Sequence, residues 1–438
     1  LTAAFDAERV RLAETTPDEV DPALVVVFDL AGTVKDFQNA IDKIDGFEFL
    51  SQLLGDRADP DDDFHMNERE AGRTEKPVQH SLYMVMSSSR AIDELIRLFE
   101  LWQADPSAKF QRGLGKFKDV FHQLTSIRRW GPEDRIRETG LRERWQETLD
   151  MIGQSVSTVK VEVELWYRRD PSQRAAAESH VEQVIAASGG NILDRSQIRD
   201  ITYHALLAEL PIQQVRAVLR DGAAAIRLLT SDDVMFVSPF TPMTVAPATT
   251  DPVAEVRLPA DERVEGLPRV ALLDGLPFQN HDALIGRLII DDPEGVGNDY
   301  PNVARNHGTA MASLIIHGDL SVPGEPLDRP LYVRPIMRPH ELFTTNEQVD
   351  SERLFPDLLH QAIRRIQEGE DGRGATAPSV RIINLSVGAQ ARALTRQMSP
   401  VGRLLDWLAH TYNLLFIVSA GNHTAPITIP ATSANTLE

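Results

Sequence analysis

Three side chains of the kinds that catalyse acyl transfer stand beside apolar or helical segments of this sequence. Asp274 ends the apolar run 270–273, His307 precedes a predicted helix, and Asn422 follows the apolar run 414–419. A carboxylate can orient an imidazole, an imidazole can accept a proton from a nucleophile, and a carboxamide can donate a hydrogen bond to an oxyanion. Together these residues predict a site for nucleophilic hydrolysis.

A fourth segment offers backbone groups in place of side-chain chemistry. Residues 381–385 form a mostly apolar run that predicts a buried strand, and Ser386, Val387 and Gly388 follow it directly. An extended peptide can pair with a backbone exposed at such a point. Because open α/β sheets bind ligands at the carboxyl ends of their strands, we expect all of these segments to meet at one rim of a sheet.

Each of these signals also has a structural explanation when it is taken alone. An aspartate at a strand end is commonly a cap, and a histidine ahead of Gly-Thr is commonly a structural residue. The catalytic interpretation depends on the combination, in which Asp274, His307 and Asn422 occur in this order among alternating apolar segments.

The elements that must position these residues lie in residues 269–438. Predicted strands alternate there with amphipathic helices, which indicates parallel pairing and a doubly wound, mostly parallel α/β sheet. The strands are predicted at 270–274, 331–337, 381–385 and 414–419, and the helices after His307, from Pro356 and from Pro400.

At these residues the sequence resembles the subtilisin-like serine proteases, or subtilases. The resemblance covers about residues 267–422 and implies a serine endopeptidase with an Asp-His-Ser triad. In it, Asp274 holds the imidazole, His307 is the general base, Asn422 is the oxyanion donor, and Ser386 to Gly388 bind the substrate. The motifs that carry it are Val270-Ala271-Leu272-Leu273-Asp274-Gly275, Asn280-His281-Asp282-Ala283-Leu284, His307-Gly308-Thr309-Ala310-Met311-Ala312, Asn384-Leu385-Ser386-Val387-Gly388 and Ser419-Ala420-Gly421-Asn422.

The sequence departs from the family pattern in three places. Gly275 follows Asp274 directly, where the family usually has Ser or Thr and then Gly, and Ala310 replaces a histidine outside the triad. No Gly-Thr-Ser motif follows Asn422, so we expect a protease domain that is truncated before its nucleophile and inactive as given. Ser386 and Ser419 are poor substitutes, because the family uses the backbone in these motifs.

The main alternative to an enzyme is a non-catalytic, peptide-binding pseudo-protease or a sensor module in a larger assembly. A peptide or protein substrate is the expected partner, and a regulatory ATPase or another protein is a candidate partner. A nucleotide-binding α/β protein is disfavoured, because residues 274–277 lack a glycine-rich phosphate loop.

The sequence ahead of the protease-like region predicts an α+β, ferredoxin-like N-terminal region. Residues 1–156 are predicted as an α+β module whose helical extension covers 110–148, and residues 239–268 as a proline-rich linker. Residues 157–238 are predicted as β-α-β-β-α-β, with strands at 161–165 and 201–210 and the last strands within 226–237. This arrangement is similar to subtilase propeptides, which implies an inhibitor-like or scaffolding role; a ferredoxin-like module with an unrelated binding role is the alternative.

Composition narrows the class of protein further. The 438 residues carry a net charge of −20, which disfavours nucleic-acid binding, and contain no cysteine, which excludes disulfides and thiol catalysis. The subtilase resemblance is to a bacterial-type enzyme, and we expect a cytoplasmic protein because no membrane-spanning run or signal peptide is recognisable in the sequence. No cofactor is assigned: the acidic segment 59–63 lacks the ligand spacing of a calcium-binding loop, and the sequence leaves calcium undecided elsewhere.

Overall fold

The computed structural model describes most of the chain and divides it into two compact units. One unit holds residues 24–240, and the other holds most of the described residues from 244 onward. The described residues are 24–240, 244–245, 264–388 and 398–419, apart from gaps at 33, 35–36, 61–63, 65, 69–71, 75, 138, 153–155, 321, 323, 341–345 and 371.

The elements of the first unit follow one another as strands and helices in an α+β order. They are β1 (Leu24–Ala31), α1 (Phe37–Ile41), β2 (Phe47–Ala58), β3 (Met66–Glu68), β4 (Gly72–Thr74), β5 (Val78–Ser87), α2 (Ser89–Ala104), α3 (Phe117–Gln123), β6 (Leu124–Arg129), α4 (Asp134–Arg137), α5 (Leu141–Ile152), β7 (Thr158–Leu165), α6 (Pro171–Ala187), β8 (Asn191–Ile198), β9 (Tyr203–Pro211), α7 (Ile212–Asp221), α8 (Arg227–Thr230) and β10 (Val234–Pro239).

The first sheet has the order β2-β5-β1-β6 and is antiparallel throughout. Its main strands and helices therefore follow a β-α-β-β-α-β path, with β3 and β4 as a hairpin between β2 and β5. The prediction that residues 110–148 are helical is wrong at β6. A register shift in the pairing of β1 with β6 lets Leu124 and Ile127 reach one core although they are three residues apart. A bulged strand thus imitates helical spacing.

The second sheet has the order β10-β7-β9-β8 and the same antiparallel β-α-β-β-α-β path. The ferredoxin-like order predicted for this region is therefore present, with two corrections. The second strand is Asn191–Ile198, which the sequence analysis did not identify, and residues 227–230 form the short helix α8 where a strand was predicted.

The two sheets of the first unit share a hydrophobic cluster. Val25 and Met84 from the first sheet pack with Trp166 and Phe236 from the second module and with Trp130 between them. The Trp130 indole donates a 2.9 Å hydrogen bond to the Met235 carbonyl oxygen. Burial of large aromatic rings at this junction joins the modules into one compact body.

The second unit is built on a parallel sheet with helices between its strands. The sheet order is β13-β14-β12-β19-β20, and every neighbouring pair in it is parallel. The elements are β11 (Thr244–Val245), β12 (Val270–Asp274), β13 (Leu288–Ile290), α9 (Asn306–His317), β14 (Leu331–Pro335), β15 (Met337–Pro339), β16 (Glu347–Val349), α10 (Phe355–Gln367), β17 (Gly369–Glu370), β18 (Arg373–Gly374), β19 (Ile382–Leu385), α11 (Pro400–Tyr412) and β20 (Leu415–Val418).

The sheet order places β12 between β14 and β19, which is the doubly wound arrangement predicted from the sequence. Leu272 and Val333 of the sheet pack with Ala312 and Ile316 of α9 in a buried core. The predicted fold class is therefore confirmed: a mostly parallel α/β sheet follows an antiparallel α+β region. Among the residues that the structure describes, no helix has both the length and the apolar composition needed to cross a membrane.

Candidate active site

The structure brings the predicted aspartate and histidine together. Asp274 is the last residue of β12, and His307 is the second residue of α9. The His307 Nδ1 atom lies 2.7 Å from the Asp274 Oδ1 atom. An ionised carboxylate can only accept hydrogen bonds, so Nδ1 carries the proton and Nε2 is left as the basic nitrogen.

Asp274 is held in an enclosed position at the end of its strand. Its side chain is fully buried, and the Gly275 backbone N–H donates a 2.6 Å hydrogen bond to the same Oδ1 that binds His307. The second oxygen, Oδ2, is buried without a hydrogen-bond partner among the described residues. Two donors that converge on one oxygen fix the carboxylate in place and stabilise its charge.

The residues after His307 explain how the helix reaches Asp274. A Cβ atom on Gly308 would lie 2.8 Å from the Gly275 carbonyl carbon, so a glycine is needed where α9 crosses the end of β12. The Thr309 hydroxyl accepts a 2.8 Å hydrogen bond from the Phe278 backbone and donates to the Arg305 carbonyl oxygen at 2.6 Å. Gly308 and Thr309 therefore fix the position from which His307 approaches the carboxylate.

His307 is set up to be a stronger base than a free histidine. Burial would lower the pKa of the His307 imidazole, but its hydrogen bond to Asp274 and the negative charges of Asp274 and Glu347 outweigh burial and raise the pKa above its ordinary value. The imidazole is 21% exposed, which leaves part of the ring accessible to a reacting group.

The predicted substrate-binding residues follow the neighbouring strand. Ser386, Val387 and Gly388 come directly after β19, which pairs with β12. The Ser386 hydroxyl donates a 2.7 Å hydrogen bond to the Asn384 side-chain oxygen, and Val387 is buried. The carboxyl ends of β12 and β19 thus lie side by side, as expected for a ligand site of this sheet. Asn422 lies outside the described residues.

Two further residues at the site were missed by sequence reasoning. Glu347 begins β16, and its carboxylate accepts a hydrogen bond from the Tyr300 hydroxyl immediately beside Gly275. Both residues are buried. The sequence signal that could have pointed to them is Gly275, at a position where subtilases usually have Ser or Thr. A glycine there leaves space for a side chain from another part of the chain.

Residues 270–438 match the model of the subtilase family, and this range contains both Asp274 and His307. The match agrees with the resemblance to subtilases that the motifs of residues 267–422 indicate. No curated protein matches the sequence at a significant level.

The matched range contains the main features described above. The parallel sheet, the aspartate at the end of β12 and the histidine at the start of α9 all lie within the matched residues. Subtilases are serine hydrolases in general, so the C-terminal part of this chain has the fold of a serine hydrolase.

Proposed function

We propose that this protein is a serine endopeptidase in which Asp274 and His307 activate a serine hydroxyl. The observation that carries the proposal is the 2.7 Å contact between His307 Nδ1 and the buried carboxylate of Asp274. This contact fixes the tautomer and the orientation that a general base of a catalytic triad requires. The serine is proposed to come from a segment outside the 438 residues of the sequence.

In the proposed reaction the serine oxygen attacks a peptide carbonyl carbon while His307 Nε2 takes the serine proton. The resulting imidazolium is stabilised by Asp274, and the oxyanion accepts a hydrogen bond from the Asn422 carboxamide. Collapse of the tetrahedral intermediate breaks the C–N bond, and His307 returns the proton to the leaving amine. Water then repeats the sequence on the acyl-enzyme and releases the second product.

The neighbouring strand supports a peptide as the substrate. Ser386 to Gly388 extend past the end of β19, beside the carboxylate-bearing end of β12. An extended peptide that pairs with this backbone would bring its carbonyl group to the Asp274 and His307 side of the sheet.

The N-terminal region is proposed to regulate the protease. Its second module has the ferredoxin-like strand order. This module shares a hydrophobic cluster with the first module, which favours a domain that stays part of the protein over a propeptide that is released. The linker strand β11 pairs with β16 of the subtilase region, so the backbone that follows the N-terminal unit is attached to the protease fold.

A fluorophosphonate probe tests the proposed chemistry directly. The full-length protein is expected to be labelled at one serine, and the His307→Ala variant is expected to lose labelling, because only an activated serine reacts. The 438-residue chain is the matched control and is expected to stay unlabelled. A full-length protein that folds but takes up no probe would instead favour the pseudo-protease or sensor alternative.

The oxyanion role of Asn422 gives a kinetic prediction. Asn422→Ala in the full-length enzyme is expected to lower kcat by about a hundred- to a thousand-fold with little change in peptide binding, because the lost hydrogen bond forms mainly in the transition state. Single-turnover acylation and substrate-analogue affinity measure the two effects separately. Unchanged turnover would contradict the assignment.

A further inference from the structure

The Glu347 carboxyl group occupies the space where Gly275 lacks a side chain. A Cβ atom built on Gly275 would lie 2.6 Å from the Glu347 carboxyl carbon and 2.7 Å from the Tyr300 hydroxyl oxygen, and closer still to Glu347 Oε1. Atoms cannot approach so closely without displacement. The glycine that follows Asp274 therefore admits a second buried carboxyl group to the site.

Glu347 is linked directly to the His307 backbone and, through Tyr300, to the backbone that follows Asp274. The His307 backbone N–H hydrogen-bonds its carboxylate, and the Tyr300 hydroxyl donates to it. Tyr300 in turn accepts a hydrogen bond from the Leu276 backbone, two residues after Asp274. The pair of Tyr300 and Glu347 thus joins the end of β12 to the start of α9.

The ionisable groups that influence Glu347 are those of the site itself. Burial raises the pKa of Glu347 to about 7, and the charge of Asp274 adds to the rise, whereas the Tyr300 hydrogen bond and the charge and backbone of His307 oppose it. The residues paired with Glu347 on the adjacent strands are Pro339 and Val245, which carry no charge. Burial together with the Glu347 charge raises the pKa of Tyr300, so this hydroxyl keeps its proton and acts as a donor.

We propose that Glu347 is a positioning residue for the pair of Asp274 and His307. Its side chain occupies the place of the Ser or Thr that subtilases usually have after the aspartate, and it stabilises the charged imidazole. This role rests on the proposed function of that pair. Glu347 acts on His307 in two ways: its carboxyl group lies against the His307 backbone, and in its ionised form its negative charge favours the imidazolium that forms during catalysis.

The alternative to the positioning role is a purely structural role for Glu347. Glu347 is the first residue of β16, and its hydrogen bond to Tyr300 could serve only to anchor this strand. Such an anchor would affect stability but would not change the titration of His307. The pKa of His307 is therefore the measurement that separates the two roles.

The test is an NMR titration of His307 in the 438-residue chain with labelled histidine, in which the signal is assigned with His307→Gln. Glu347→Gln keeps the size of the side chain and removes its charge, and it is expected to lower the pKa of His307 by about one unit. Glu368→Gln is the matched control, because it removes the charge of another glutamate that accepts a tyrosine hydrogen bond, the exposed one from Tyr412, and is expected to leave the pKa of His307 unchanged.

A second variant covers the case in which Glu347→Gln does not fold. Tyr300→Phe leaves Glu347 in place and removes the hydrogen bond that favours its charged form, so the pKa of His307 is expected to fall in the same direction. A folded variant whose His307 pKa stays within about 0.2 units of the parent would overturn the proposal. The titration needs no turnover, so it succeeds or fails independently of the fluorophosphonate test.

Discussion

Asp274→Ala is expected to lower kcat of the full-length enzyme by about ten-thousand-fold, as loss of the aspartate typically does in serine proteases. The buried carboxylate is the hydrogen-bond partner that holds His307 Nδ1 at 2.7 Å. Without it, the imidazole loses both its fixed orientation and the charge that stabilises its protonated form. Steady-state hydrolysis of a peptide amide measures the loss.

A second substitution at the same position tests the tautomer of His307. The carboxamide of Asp274→Asn keeps the size of the side chain, but its N–H₂ group can donate to His307 Nδ1 and so favour the tautomer in which Nε2 carries the proton. Asp274→Asn is therefore also expected to lower kcat by about ten-thousand-fold, although the geometry of the site is kept. Asp328→Ala, at a carboxylate that is 83% exposed, is the control and should retain parental turnover. An Asp274→Ala enzyme within about threefold of the parent would contradict the proposed mechanism.

The sequence predicted the pair of Asp274 and His307 because local patterns determine both positions. An apolar run ending in a carboxylate defines the end of a parallel strand, and Gly308 and Thr309 after the histidine define how its helix approaches that end. Because the strands of a doubly wound sheet are parallel, their carboxyl ends lie along the same edge of the sheet. Local pattern and topology together therefore give the contact.

Glu347 and Tyr300 could not be predicted in the same way. They are 47 residues apart in the sequence, and neither belongs to a periodic motif that would reveal their contact. Their meeting depends on how β16 and the segment ahead of α9 pack in three dimensions, which composition and spacing do not specify. Only the glycine after Asp274 gave a local sign that the surroundings of the carboxylate were unusual.

Two of the strands that were not predicted from the sequence, β8 and β6, were missed for different physical reasons. β8 is the last strand in its sheet order, and most of its side chains are polar or partly exposed. Such a strand lacks the apolar run or clean alternation that marks a strand in the sequence. The bulged strand β6 was predicted as helix, because its buried residues are three positions apart, as they are in a helix.

Gly275→Ser is expected to destabilise the subtilase region by about 3 kcal/mol, the sum of overpacking and of displacing a buried hydrogen-bonded carboxyl group. The new Cβ atom would overlap Glu347 Oε1 and approach the Tyr300 hydroxyl to 2.7 Å. Because Glu347 and Tyr300 are buried among neighbouring backbone, they cannot move aside without breaking their hydrogen bonds. Chemical denaturation measures the change in the free energy of unfolding.

The cause of that loss can be tested by removing the group that the new side chain meets. Glu347→Ala in the Gly275→Ser background opens the space again, so the double variant is expected to be more stable than the sum of the two single effects by about 1–3 kcal/mol. Gly374→Ser is the matched control, because a Cβ atom there meets no other atom within 4 Å and a small effect is expected. Strictly additive effects would show that Gly275 and Glu347 do not compete for one space, and the proposed contact between them would then be wrong.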